Sequence, residues 1–400
     1  MHWLAGDESR RASLLDAVDR LRRDDGVRWL RAREGRRRLA RVTLADGTPV
    51  FAKHYLRPTR HPVREWWKRR LHLTAAEREW RTLVRLHGAG IPVPGPLAHV
   101  RLGSGEAVVL TAWIDGAPLG DALPADASAR RRLLADAGAL VRGLHEAGWA
   151  HRDLHRENLF VADGGLFLID LQAARRPASA RARLADLGRL DFSLRRALSL
   201  PDRVRLRAAA LGATRPFDAA TRAALRDVGR ASLARGRIHA RSRAGRSLRE
   251  GRLHRRFEVV GMRGLVARSA DETAVRAALA APGGSDAIEV RRYADGPTSL
   301  LGRSAARRAW WIAHALEASD VPCPRVLAWV ARRGWRGESR IALAREPDAG
   351  VPTSAMRDAL DAHLAEAGFE ADLAPDGAFV REGRAGVAAL ERLRFAGGPR

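Results

Sequence analysis

From Val27 the chain alternates apolar and polar residues through VRWLRAREGRRRLARVTLADGTPVFAKHYL, which predicts three short strands. EGRRR and ADGT separate them, and the Asp-Gly pair in the second is a hairpin signal. The period then changes. In TAAEREWRTLVRLHGAG, Trp80, Leu83, Val84 and Leu86 recur at helical spacing, and Gly88 or Gly90 ends the helix. IPVPGPLAHV and EAVVLTAWIDG read as two further strands. Beyond a hinge near Ala112 to Gly116 come a helix in ASARRRLLADAGALVRGLHEAG and a strand in GGLFLIDLQ that ends at Asp170. The pattern predicts an α+β fold of two lobes, a small sheet lobe over about 1–112 and a helical large lobe over about 113–245.

The last third repeats the first half in weakened form. AIEVRRY echoes VFAKHY, and AARRAWWIAHALEASDVPCPRVLAWV echoes AAEREWRTLVRLHGAGIPVPGPLAHV without a gap. REPDAGVP echoes AWIDGAP, and LAEAGFEADLAPDGAFV echoes LHEAGWAHRDLHRENLFV with one residue fewer. Four echoes in one order predict an internal duplication, with residues 246–400 a shortened second domain after 1–245. Pro322, Pro324 and Gly368 match Pro92, Pro94 and Gly148. Between the copies, RGRIHARSRAGRSLREGRLHRR is strongly basic and is expected to break the helical pattern before it.

Composition sharpens this picture. No apolar run reaches the length of a membrane span, and a single cysteine, Cys323, excludes an internal disulfide, so a cytoplasmic protein is expected. The formal charge is +26, which calls for an anionic partner, although a base-composition bias toward arginine accounts for part of it. Only two of the 72 basic residues are lysines, Lys53 and Lys68, and Asn158 is the only asparagine. Arginine replaces a surface lysine at little cost but not a lysine needed as a compact point charge. Survivors of such a bias are candidates for function.

Asn158 lies in HRDLHRENLF, five positions after Asp153, which is the catalytic-loop spacing H-R-D-x-x-x-x-N of kinases. Phosphoryl transfer needs fixed cations around charged oxygens and an oriented nucleophile. Asp153 is the candidate to accept or orient the acceptor's proton. Asn158 and Asp170 are candidate Mg²⁺ ligands, and Lys53 is the candidate to hold the ATP α/β-phosphates. Glu79 is the best placed acid to pair with Lys53, with Glu77 as runner-up. GxGxxG is absent, so Gly35 in EGRRR, arginines or backbone amides would have to hold the phosphates. A protein kinase is disfavoured: His155 stands where those enzymes place lysine, Asp170-Leu171-Gln172 replaces DFG, and no APE follows.

AAEREWRTLVRLHGAGIPVPGPLA, HRDLHRENLF, LIDLQAAR and DLGRLDFSL together resemble the lipopolysaccharide kinase family of core-heptose and Kdo kinases, over roughly residues 28–195. The resemblance implies a protein-kinase-like fold using ATP and Mg²⁺. It implies a glycolipid acceptor, a sugar of the lipopolysaccharide core, met at the inner face of the cytoplasmic membrane. By position it places the nucleotide lysine on Lys53, its partner on Glu79, the catalytic aspartate on Asp153 and the metal ligands on Asn158 and Asp170. In the repeat, Lys53 aligns with Arg291, Glu79 with Ala309, Asn158 with Gly377 and Asp170 with Ala389, while Asp372 matches Asp153 without its His-Arg. The second domain is therefore expected to be a degenerate kinase-like repeat, a pseudokinase. A kinase of a soluble small molecule or protein is the alternative in the same chemistry, and an idle glycan- or membrane-binding scaffold the alternative outside it. An anionic membrane surface is an expected peripheral partner. Nucleic acid is not, because the arginines are spread through the chain without a reading motif.

Overall fold

The computed structural model describes residues 1–33, 37–56, 74–103, 105–163, 165–345, 352–371, 378–381, 384–390 and 393–395. The chain divides into two compact units, Met1–Ser232 and Leu233–Arg400.

The first unit opens with β1 (His2–Gly6) and α1 (Arg11–Arg23), for which the sequence pattern gave no prediction. The predicted strands follow as β2 (Arg28–Arg33), β3 (Arg37–Thr43) and β4 (Pro49–Tyr55), then α2 (Ala75–Gly88), β5 (Pro96–Arg101) and β6 (Ala107–Ala112). They form one antiparallel sheet in the order β1-β5-β6-β4-β3-β2. Prolines at 92 and 94 keep the segment before β5 out of the ladder, and Pro96 begins the strand, which is shorter than IPVPGPLAHV suggests. On one sheet face Leu14, Val18 and Leu21 of α1 pack with Val42, Val50, Val100 and Leu110. On the other, Ala76 and Trp80 of α2 pack on Val109. Leu83 and Leu86 join the core of the helical lobe, whereas Val84 is 41% exposed, on the margin of the apolar stripe it was expected to share.

That lobe contains β7 (Gly116–Pro118), α3 (Ala127–Glu146), the hairpin β8 (Leu159–Ala162) and β9 (Gly165–Leu168), and the helices α4 (Ala180–Leu194) and α5 (Leu200–Ala210). Helix α6 (Ala219–Ser247) follows. The basic stretch was expected to break the helix. Its first half instead continues it, because Ala240 and Ala244, one turn apart, are fully buried and leave the arginines to the other faces.

In the second unit β10 (His254–Val259), β11 (Met262–Ala267), α7 (Glu272–Ala280), β12 (Ile288–Ala294), α8 (Ala305–Ala318), β13 (Val326–Arg332) and β14 (Glu338–Ala344) form a lobe with sheet order β10-β11-β13-β14-β12. The path from β11 onward is that of β1, α1, β4, α2, β5 and β6, with the β2–β3 hairpin left out. The registers agree as well. Lys53 lies opposite Val109, which lies opposite His99; Arg291 lies opposite Ile341, which lies opposite Trp329. Beyond α9 (Ser354–Ala367) and the short β15 (Phe369–Ala371), the hairpin β16 (Ala378–Arg381) and β17 (Arg384–Val387) stands where β8 and β9 stand in the first unit. The Leu168 N–H donates to the Pro92 carbonyl, and the Val387 N–H donates to the Pro322 carbonyl, both at 2.9 Å. Strand β18 (Leu393–Phe395) pairs with β15.

Candidate active site

Lys53 and Tyr55 lie two residues apart on β4 and so share a sheet face. Helix α2 brings Glu79 to that face. Thr74 starts the helix as a capping box: its hydroxyl accepts the Glu77 N–H, and the Glu77 carboxylate returns to the Thr74 backbone. Glu77, the runner-up partner for Lys53, is thus committed to the cap and to Arg101, whose guanidinium donates to it at 2.7 Å.

Lys53 Nζ donates to Glu79 Oε1 at 2.5 Å and to Asp170 Oδ1 at 3.3 Å. Tyr55 gives its hydroxyl proton to the second Glu79 oxygen. Asp170 follows the end of β9 in left-handed backbone, φ +58°, a conformation aspartate adopts more readily than most residues. Its carboxylate also receives both terminal nitrogens of Arg37, at 3.2 and 3.1 Å. Burial raises the Asp170 carboxyl, but Lys53 and Arg37 outweigh it and hold the group down at about 2. Burial likewise opposes the Lys53 charge, and Glu79 and Asp170 reverse the balance so that the ammonium is held above its ordinary value.

The catalytic-loop candidates are placed by backbone. The Asn158 amide donates to the Asp153 carbonyl at 2.8 Å, and the Ile169 N–H donates to the Asn158 carbonyl at 3.0 Å. His151 donates from Nε2 to the Ile169 carbonyl at 3.0 Å. These bonds tie Asp153 and Asn158 to the strand end that carries Asp170. Gly35 lies outside the described residues, as do Asp372 and Gly377 of the repeat.

Three functional candidates were not singled out from the sequence. Asp186 of α4 is fully buried and accepts the backbone N–H groups of His151, at 2.7 Å, and Arg152, at 2.8 Å. Arg152 has φ +64°, so this carboxylate holds the loop in a conformation most residues avoid. Its signal was present in DLGRLDFSL, which carried the family resemblance without an assigned role. Arg37 was one anonymous arginine of EGRRR. Tyr55 had no signal at all.

Residues 21–210 match the model of the Lipopolysaccharide kinase (Kdo/WaaP) family, so the resemblance read from the sequence holds over that stretch and the chain carries a phosphotransferase domain of the kinase type. A search of the curated proteins finds no match. Similar solved structures include a Rio2 kinase-ADP/Mg2+-phosphoaspartate complex from Chaetomium thermophilum. It has 16% identity and a TM-score of 0.34, and the alignment covers 56% of this chain and 77% of that one. An aminoglycoside-3'-phosphotransferase of type VIII has 18% identity and a TM-score of 0.34, with 54% of this chain and 98% of that one covered.

Proposed function

We propose that the first unit transfers the γ-phosphoryl group of ATP to a sugar hydroxyl of a lipopolysaccharide core or a related glycolipid, at the inner face of the cytoplasmic membrane. One observation carries the reading: the chain's rare lysine is buried between Glu79 and the Asp170 carboxylate. Burying such charges is unfavourable unless they are paired, and a purely structural site would more cheaply be apolar. The family match supports the glycolipid acceptor.

Lys53 would hold the α/β-phosphates, with Glu79 fixing its direction and Tyr55 steadying Glu79. Asp153 would accept or orient the proton of the attacking hydroxyl. Asp170, ionised down to about pH 2, and the amide oxygen of Asn158 are hard oxygen donors of the kind Mg²⁺ takes, so the residues fit that ion. Bound Mg²⁺ supplies charge neutralisation at the phosphate oxygens. Arg37 and Lys53 fill three of the roughly four lone-pair sites of the Asp170 carboxylate, and release of Arg37 would open further sites to an ion. The phosphates offer its guanidinium a bidentate replacement, which would make Arg37 the substitute for the missing glycine-loop amides.

The test is transfer of label from γ-labelled ATP, with Mg²⁺, into a bacterial glycolipid extract by the full chain. Label in the lipid phase, released as a sugar phosphate, is expected. Label confined to soluble sugars would replace the acceptor, and no transfer to any hydroxyl would end the kinase reading.

A further inference from the structure

The second unit holds a cavity of about 820 Å³ that has no counterpart among the residues proposed for catalysis. Four arginines line it, Arg263, Arg307, Arg332 and Arg333, against one acid, Glu258. Arg263 pairs with Glu258 at 3.1 Å, and Arg332 with Glu338 at 3.1 Å. Arg307 gives one N–H to the Gly302 carbonyl, and neither it nor Arg333 has an acid partner among the described residues. Trp329 also lines the cavity, and its indole Nε1 is buried without a hydrogen-bond partner among the described residues. Arg307 occupies the position of Glu77 in the first unit, so the copy has reversed the charge there.

The loops that wall this cavity expose apolar side chains. Val260, in the β10–β11 turn, is 51% exposed at φ +51°, a backbone region that β-branched residues rarely enter. Leu301, which lines the cavity, is 74% exposed, and Trp335 of the β13–β14 turn is 77% exposed. The two loops that carry these last residues are tied together: the Ser299 hydroxyl accepts the Gly334 N–H at 3.0 Å and donates to the Gly334 carbonyl at 2.9 Å. Cations within a cavity and apolar tips beside it are the two signals that peripheral membrane binding requires.

We propose that this cavity is a membrane-docking site: the phosphate of an anionic phospholipid enters among Arg307, Arg333 and the Trp329 N–H, while Val260, Leu301 and Trp335 enter the apolar edge of the bilayer. Guanidinium groups hold phosphate oxygens by paired N–H donors, and indole rings favour the membrane interface. A soluble phosphate would leave the apolar tips in water, so the arrangement selects a lipid. The site needs no ATP and no phosphoryl transfer, and it gives the second unit a role of its own.

The arginine-dense part of α6 is the rival surface. Arg241 already lies over the Phe395 ring at 5.3 Å, Arg243 is 3.7 Å from Glu317, and Arg246 donates to the Ser242 hydroxyl at 3.1 Å, so these three are engaged within the protein.

Co-sedimentation of the full chain with phosphatidylcholine vesicles, with and without phosphatidylglycerol, tests the site without nucleotide. Binding is expected only with the anionic lipid. The exposed pair L301S and W335A should weaken it at least about tenfold, as should R333E, while the circular dichroism spectrum stays unchanged. Glycerol phosphate should not compete. Lipid brominated deep in the acyl chain should quench part of the tryptophan fluorescence, and W335F should remove that part. Absence of vesicle binding, effective competition by glycerol phosphate, or no quenching would overturn the proposal. So would loss of binding on neutralising Arg241, Arg243, Arg246 and Arg249 while the loop variants bind normally.

Discussion

Lys53 and Arg291 occupy the same place in two sheets of the same register, yet the company they keep differs. Lys53 meets two carboxylates, from Glu79 and Asp170. Arg291 meets Glu289 on its own strand at 2.7 Å and the Ala388 carbonyl at 2.9 Å, while a buried alanine, Ala309, stands in the position of Glu79. Strand β4 is covered by β3 on its free side, whereas β12 is the edge of its sheet. At matched positions the second unit has Ala309 and Ala389 in place of Glu79 and Asp170, and no hairpin flanks β12 among the described residues, while its helices, caps and ladder correspond. Packing and chemistry separate because they draw on different terms. A sheet between two helices persists wherever apolar burial does, whereas a buried cluster of charges is unfavourable and persists only where it is used.

The largest expected effect is on turnover. Asp153→Asn should lower kcat by about 10²- to 10⁴-fold, as loss of a positioned proton acceptor does, with ATP affinity nearly unchanged. Undiminished transfer by that variant would break the assignment. Lys53→Arg keeps the charge but replaces a point donor with a planar fork, and should raise the ATP dissociation constant and lower kcat. Arg291→Lys, the converse change in the copy, should alter neither. Measurable metal-dependent ATP binding that survives Lys53→Ala but disappears with Arg291→Ala would invert the comparison.

Next comes the carboxylate that braces the catalytic loop. Asp186→Ala removes the acceptor of two backbone N–H groups and the partner of Arg189 and His145. Such a loss in a buried network should lower stability by about 3–5 kcal/mol, read by urea denaturation. No counterpart of α4 occurs among the described residues of the second unit, whose stability should be insensitive to this change. If Asp186→Ala unfolds at the same urea concentration as the parent, the loop is held by other means.

Much of this contrast was legible in the sequence. The strand–helix–strand order, the spacing in HRDLHRENLF and the substitutions at Arg291, Ala309 and Ala389 required only period and alignment. What escaped has identifiable causes. Strand β1 and α1 come before the recognisable pattern, and β1 joins the sheet beside β5, a long-range pairing with no local signature. Arg37 could not be told from its neighbours because arginine fills the chain, and only the fold, bringing it to a residue 133 positions away, selects it. The basic run misled because its charges were more conspicuous than two small buried alanines one turn apart.

A pH effect of intermediate size should distinguish the two lobes at His99 and Trp329. Burial pushes the His99 imidazole down to about 4; Glu77 opposes this, and Arg101 and Arg81 add to it. The unfolded residue takes its proton near pH 6.5, so below that value unfolding binds a proton that the native state refuses. Stability should fall as pH drops from about 6.5 and level off near 4, by up to about 3 kcal/mol. His99→Gln should flatten this slope in urea titrations. Its counterpart in the second sheet, Trp329, cannot titrate, so a slope that survives the substitution unchanged would assign the effect to another group, His254 being also held down at about 4 by burial.

The smallest difference lies in the helix caps. Thr74 and Ser304 begin α2 and α8 at matched positions, and each hydroxyl accepts the N–H of the third helical residue. Only the first has the reciprocal half of a capping box, because Arg307 stands in the second unit where Glu77 stands in the first. Thr74→Ala leaves the Glu77 N–H without its acceptor and frees a carboxylate oxygen that the threonine hydroxyl also satisfies at 2.8 Å. Ser304→Ala leaves only one N–H unmet. Caps of this kind contribute about 1 kcal/mol, so Thr74→Ala should destabilise by somewhat more than Ser304→Ala. The same substitution should also lower ATP affinity, because α2 carries Glu79 and fraying of its first turn disturbs the Lys53 pair. Ser304→Ala should leave nucleotide binding unchanged. Equal losses of ATP affinity in the two variants would show that the helix start does not control the lysine.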